Sequence, residues 1–161
     1  MKLLVKNKLV SVGGGSTVLG EDGKEVFTVK GKVFSLSNRK SVYSQDGTLL
    51  YVVKNVLFSG LTYSCDVFDG AGEKLFRIKE NVALLEKFSS DNGADALRME
   101  REGAIIKMFK NDVQFASMKR EYFKVADTFE VDIISEEDAS LAVAMVIAYD
   151  NITDRKQKNR K

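Results

Sequence analysis

The sequence contains no histidine, no proline and no tryptophan, and Cys65 is its single cysteine. Each absence removes chemistry. Without histidine there is no Ser-His-Asp triad, no Cys-His dyad and no zinc site built from histidine and cysteine. A lone cysteine forms no internal disulfide, which agrees with a reducing compartment. Long apolar runs are also missing: the longest extends from Leu141 to Tyr149, against the ~20 residues a bilayer span requires. The N-terminal Met1-Lys2-Leu3-Leu4-Val5-Lys6 places charges where a secretory leader needs an unbroken apolar stretch. A cytoplasmic protein is the expectation.

What is present suits one globular domain. The chain has 161 residues, 44% hydrophobic and 30% charged, enough to bury roughly 70% of its unfolded surface without covalent staples. The net charge of +2 hides an asymmetry. Arg155, Lys156, Lys158, Arg160 and Lys161 fall in the last seven residues, leaving a body with 20 basic and 23 acidic side chains. A nucleic-acid binder carries its basic face on the folded body, so no specific nucleic-acid partner is expected. Residues 153–161 read as a basic, disordered tail on a single domain spanning 1–152.

The body repeats itself. Leu3-Leu4-Val5-Lys6-Asn7-Lys8-Leu9-Val10-Ser11, Phe27-Thr28-Val29-Lys30-Gly31-Lys32-Val33-Phe34-Ser35 and Tyr51-Val52-Val53-Lys54-Asn55-Val56-Leu57-Phe58-Ser59 share one order of residue types. Weaker copies occur at Phe76-Arg77-Ile78-Lys79 and at Ala116-Ser117-Met118-Lys119, the latter followed by Phe123. Between the copies stand Asp22-Gly23, Asp46-Gly47 and Asp69-Gly70, read as hairpin turns because glycine tolerates positive φ, with a fourth reversal at Asn111-Asp112. The runs between turns alternate with period two, as in Phe129, Val131 and Ile133 against Thr128, Glu130 and Asp132. About a dozen short strands follow, and a meander of that length protects its edges by closing into a barrel.

One segment departs from that period. Ser135-Glu136-Glu137-Asp138 resembles a helix start, with a hydroxyl to cap an N–H and carboxylates at the positive end of the dipole. From Ala139 to Tyr149 only Ser140 is polar, so this helix is apolar on every side and must be buried. Fifteen residues span roughly 22 Å, about the depth of such a barrel. The expected architecture is therefore mainly β: a closed antiparallel barrel of about twelve strands around one buried C-terminal α-helix.

The Asp-Gly hairpins, the Val-Lys-x-x-x-Phe-Ser copies and the closing Glu-Val-Asp-Ile-Ile-Ser-Glu-Glu-Asp-Ala segment resemble the bacterial LURP-one-related family. The resemblance covers roughly 1–152. It implies the tubby C-terminal-like superfamily, which includes phospholipid scramblases, and a twelve-stranded barrel around a hydrophobic helix. Tubby domains bind phosphoinositide head groups through basic residues on the barrel wall, but no run here matches that site. The Pro-rich arm, Cys cluster and long final apolar segment of scramblases are absent, so scrambling activity does not carry over.

Candidate residues for chemistry are few. Gly13-Gly14-Gly15-Ser16-Thr17 lacks the lysine of a phosphate loop and reads as a hairpin loop. Glu136, Glu137 and Asp138 are accounted for by the helix start, and Cys65, alternating with Tyr63 and Val67, reads as a buried thiol. Lys30, Lys54, Lys79 and Lys119 hold equivalent places in successive hairpins. They form either a cationic ring for phosphate or charges that keep strand ends soluble. Arg155, Lys156, Lys158, Arg160 and Lys161 form either a solvated extension or a weak tether to anionic lipid. Asn151-Ile152-Thr153 matches a glycosylation sequon without a secretory leader. The functional expectation is a non-enzymatic cytoplasmic binding or adaptor module with no cofactor or metal, whose partner is an unidentified protein or small ligand. The alternative is a peripheral membrane protein on anionic lipid.

Overall fold

The computed structural model describes residues 1–7, 14–57, 62–81, 87–91, 93–122 and 127–161. Of the sequence motifs above, Lys8, Leu9, Val10, Ser11, Gly13, Phe58, Ser59 and Phe123 lie outside the described residues. Twelve strands are present: β1 (Lys2–Asn7), β2 (Ser16–Leu19), β3 (Glu25–Gly31), β4 (Lys40–Ser44), β5 (Leu49–Asn55), β6 (Ser64–Asp69), β7 (Lys74–Glu80), β8 (Lys87–Asp91), β9 (Leu97–Glu102), β10 (Ile105–Lys110), β11 (Val113–Tyr122) and β12 (Asp127–Ile133). Each pairs antiparallel with its sequence neighbours, and β12 closes the barrel on β1 with Leu3 opposite Val131 and Val5 opposite Phe129. A 3₁₀ turn (Glu136–Asp138) then leads into the helix α1 (Ala139–Asn159).

Alternation decides what faces inward. Phe27 and Val29 of β3, Phe76 and Ile78 of β7, Met99 of β9, Met108 of β10 and Val131 of β12 are buried, with polar residues between them pointing out. A twelve-stranded barrel is too wide for these side chains alone to fill. The helix fills it. Every residue from Ala142 to Ala148 is 0% exposed, so α1 is enclosed on all sides. Alanines at 142, 144 and 148 keep it thin enough to fit, and Tyr149 packs edge-on against Phe88 and Phe129 with ring centroids 5.4 and 6.3 Å apart.

A meander has two unlike ends. Turns from even to odd strands form one rim and are tight. Gly20 N–H donates to Lys24 O, Ser44 N–H to Thr48 O and Asp69 N–H to Glu73 O, each at 2.8–2.9 Å. The residue before the closing carbonyl takes φ of +74° at Gly23, +86° at Gly47 and +91° at Gly72. The third turn therefore uses Gly72 in the left-handed region. Gly70 is required for another reason: a Cβ there would stand 2.2 Å from Leu49 O. At the fourth reversal Asn111 and Asp112 adopt positive φ themselves (51° and 66°), as asparagine and aspartate tolerate best after glycine.

The helix differs from its expectation in two ways. Ser135 makes no side-chain capping bond; its backbone carbonyl accepts from Asp138 N–H, and the Asp138 carboxylate instead meets Lys110 Nζ at 3.0 Å. The helix also continues past Tyr149 through 153–159, so most of the stretch expected as a disordered tail is its last two turns. At 1.5 Å per residue its 21 residues span about 32 Å, longer than the barrel is deep.

Two expectations test this description. Replacing Val146, 0% exposed, by lysine (Val146→Lys) puts an unpaired charge at the centre of the barrel, at a cost of several kcal/mol. That is comparable to the whole stability of an ordinary domain. Urea unfolding should lose its cooperative transition; a soluble, sharply melting variant would place the helix on the surface. In the second turn, hydrogen bonds from Ser44 and Thr48 hold the Asp46 carboxyl down at about 2, against an ordinary 3.8. The stability this contributes is present above the unfolded value and is lost as pH falls from about 4 to 2. Asp46→Asn should flatten the fall in melting temperature over that window; identical slopes would contradict it.

Candidate functional site

The loops from odd to even strands form the opposite rim, and there α1 leaves the barrel. As the helix emerges, its apolar surface ends at Asp150 and Asn151, which are 2% and 0% exposed. Asp150 Oδ2 accepts from Lys40 Nζ and from Asn7 Nδ2, both at 3.3 Å, and Asn7 Oδ1 accepts from Ser16 Oγ at 2.7 Å. The Lys40–Asp150 pair is almost wholly enclosed, with side chains 6% and 2% exposed. Asp150 Oδ1 finds no hydrogen-bond partner among the described residues. Asn151 and Asn38 exchange bonds: Asn38 Nδ2 donates to Asn151 Oδ1 at 3.0 Å, and Asn151 Nδ2 to Asn38 O at 3.1 Å. One turn further, burial and the charge of Asp150 push the Asp154 carboxyl upward.

Beyond this layer the basic segment splits. Arg155 donates through both terminal nitrogens to Val56 O and Leu57 O and lies over the Tyr63 ring, 5.6 Å from its centroid. Lys156 Nζ reaches Glu80 Oε1 at 2.7 Å, with the two side chains 19% and 8% exposed. Lys158, Arg160 and Lys161 are exposed. Two of the five cations thus fasten the helix to the rim, and three remain in solvent.

The repeated lysines all point outward beside this rim, yet they do not form one ring. Lys79 is paired with Asp91 at 3.3 Å and Lys119 with Glu121, whose hydrogen bond pushes the Lys119 ammonium up. Lys30 and Lys54 lie over the Tyr43 and Phe68 rings, 5.1 and 4.6 Å from their centroids, and neither has an ion-pair partner among the described residues. These two flank the β3–β4 loop, residues 32–39, which the sequence pattern read as a strand-like copy ending in Val33-Phe34-Ser35. The loop instead carries Phe34, 101% exposed, and Leu36, 89% exposed. Lys32, Arg39 and Leu57 complete this sector. The lysine spacing pointed to Lys30 and Lys54; nothing in the local sequence marked Phe34 as exposed.

The remaining candidates are structural. Cys65 is 0% exposed, its Sγ donating to Asn55 Oδ1 at 3.0 Å, and burial pushes the thiol far above its ordinary value. Asn151 of the sequon is fully enclosed and unavailable to a glycosyl group. Ser16 and Thr17 begin β2 rather than a phosphate loop. Glu136 and Glu137 belong to the 3₁₀ turn at the far rim. A groove of about 390 Å³ runs along the outer wall beside Lys2, Glu21 and Asp132, and a depression of about 260 Å³ lies at the far rim beside Lys110 and Asp138. Both are lined by polar groups already committed to each other. Among the described residues no three metal-ligating side chains converge, and no helix is long and apolar enough to cross a membrane.

Deleting 155–161 removes the Arg155 and Lys156 anchors, so the melting temperature should fall, whereas loss of a solvated tail would leave it unchanged. Lys156→Ala alone leaves Glu80 buried without that partner and should cost about 3 kcal/mol in urea unfolding; no change would detach the helix end from the rim.

A protein from Arabidopsis thaliana, solved by X-ray crystallography, is similar in fold: TM-score 0.57, 15% sequence identity, with 89% of this chain and 88% of that chain covered. No curated protein matches the sequence. The LURP-one-related family model matches residues 1–150, and the chain belongs to that family.

Proposed function

We propose that the protein is a non-enzymatic cytoplasmic binding module that engages anionic partners with the rim through which α1 leaves the barrel. One observation carries this reading. Lys30, Lys32, Arg39, Lys54, Lys158, Arg160 and Lys161 share that end of the molecule, and none has an ion-pair partner among the described residues. Cations elsewhere on the wall are mostly paired, as Lys74 and Arg77 are with Asp66, and Lys107 with Glu102. Clustered like charge of this kind raises the local concentration of counter-charged ligands.

Binding rather than catalysis fits the chemistry available. The barrel interior is occupied by α1, so the fold offers its surfaces rather than a lined chamber. A general base at neutral pH needs a value tuned near 7. The Lys110 and Lys119 ammoniums move away from that range, pushed up by hydrogen bonding to Asp138 and Glu121, and burial raises the Cys65 thiol. The twelve-stranded barrel around a central helix also supports placement in the tubby C-terminal-like superfamily.

Amide chemical shifts during titration with a soluble sulfated polysaccharide test the reading. Changes should concentrate at 30–39, 54–57 and 155–161 and fade as salt shortens screening to ~8 Å. Changes at the tight-turn rim instead, around 20–24 and 45–48, or none at all, would overturn it.

A further inference from the structure

The cationic rim carries something that charge alone does not explain. Phe34 and Leu36 stand almost fully in water, and Val33 and Leu57 beside them are 39% and 40% exposed. Scattered apolar side chains on a surface need no account. Here, though, the backbone is held so as to expose them. Phe34 has φ of +58°, a region in which a bulky L-residue is strained.

The loop is pinned from beneath. Lys32 N–H donates to Arg39 O, Asn38 N–H to Ser35 O, and Arg39 N–H to Ser35 Oγ, at 2.9–3.2 Å. Asn55 N–H donates to Ser37 O at 2.7 Å, and the Asn38–Asn151 exchange fastens the loop to α1. Ser35, Ser37 and Asn38 are thus bonded within the loop or inward, and Val33, Phe34 and Leu36 are left projecting. Rigid presentation of this kind lowers the ordering cost of any contact they make.

We propose that residues 32–39 insert into the interface of a bilayer bearing anionic lipid, with Phe34 and Leu36 entering the acyl boundary while Lys30, Lys32, Arg39 and Lys54 meet the head groups. The proposal rests on the rim reading above and names its partner. Charge complementarity selects the occupant. The acids of this sector are committed or turned in: Asp150 to Lys40, Glu80 to Lys156, Asp66 to Arg77 and Lys74. Burial and then the charge of Asp150 push the carboxyl of half-buried Asp154 upward, while Lys40 and Lys158 draw it down. A convex apolar tip ringed by cations suits a bilayer, which receives a protrusion without a shaped pocket, and such interfacial binding adds buried apolar area to attraction for anionic lipid. Charge by itself gives only weak attachment, and the apolar tip supplies the second anchor.

Sedimentation with phosphatidylcholine vesicles, alone or with about 30% phosphatidylglycerol, tests this near physiological salt. The wild-type protein should partition onto the anionic vesicles and little onto the neutral ones. The double variant Phe34→Ser/Leu36→Ser should lose about tenfold or more in partition. Both side chains are exposed, so its melting temperature should hold. Phe34→Gly separates the roles further: it relieves the left-handed strain and should melt higher, yet bind vesicles less. Equal partition of wild type and double variant, or equal partition onto neutral and anionic vesicles, would overturn the insertion. If the polysaccharide shifts the rim but vesicles retain no protein, the rim reading stands and the bilayer falls, leaving the tip for a protein partner. Silence in both experiments would end both readings.

Discussion

Everything in this molecule depends on filling a barrel that is too wide to fill itself. Twelve strands enclose more space than their inward side chains occupy. A close-packed interior is a condition of stability, since voids forfeit dispersion contacts. The run from Ala139 to Ala148 solves the problem because its alanines keep the helix slim and no charge interrupts it. The tight turns, the strand alternation and the closure of β1 on β12 are then consequences of wrapping a sheet round a single apolar rod.

The same solution creates a second problem where the rod ends. A helix longer than the barrel has to pass from an apolar interior to water within about one turn, and its polar groups must find partners there. Asp150 and Asn151 mark that transition, with Lys40, Asn7 and Asn38 supplied by three different strand ends or loops. A buried ion pair adds little net stability, because desolvation offsets attraction. What it fixes is depth and rotation: only one placement of α1 brings Asp150 to Lys40, Asn151 to Asn38 and Lys156 to Glu80 together.

Function follows from where these requirements leave room. The interior is occupied, the outer wall is a mosaic of cross-strand pairs, and the tight-turn rim is closed by short loops with their hydrogen bonds made internally. The helix-exit rim alone among the described parts combines longer loops, uncompensated cations and exposed apolar side chains. Loops held by a rigid scaffold are where binding residues concentrate. In this fold the scaffold is the helix itself, since Asn151 and Arg155 hold the loops that carry Phe34 and Leu57.

Much of this was legible in the chain. Period-two alternation, the lysines at a step of 24 or 25 residues and the all-apolar helix specify a barrel around a core helix, because alternation and apolarity are set within a few residues and the step repeats them along the chain. Even the use of Gly72 could be read, since Gly23, Gly47 and Gly72 keep the step that the lysines keep, whereas Gly70 breaks it. The site was less legible. Lys30 and Lys79 are equivalent in the repeat, yet only the second has a carboxylate, Asp91, across the strand pair. Arg155 and Lys158 look alike in a basic run, yet one is fixed by carbonyls 98 and 99 positions away and the other is in water. Lys40 finds Asp150 across 110 positions. The sequence by itself determined which residues alternate and which segment is buried, since local sterics and hydrophobicity act along the chain. Tertiary structure decided which charges are cancelled and which apolar side chains stay exposed, because pairing is a property of groups that only closure of the barrel brings together.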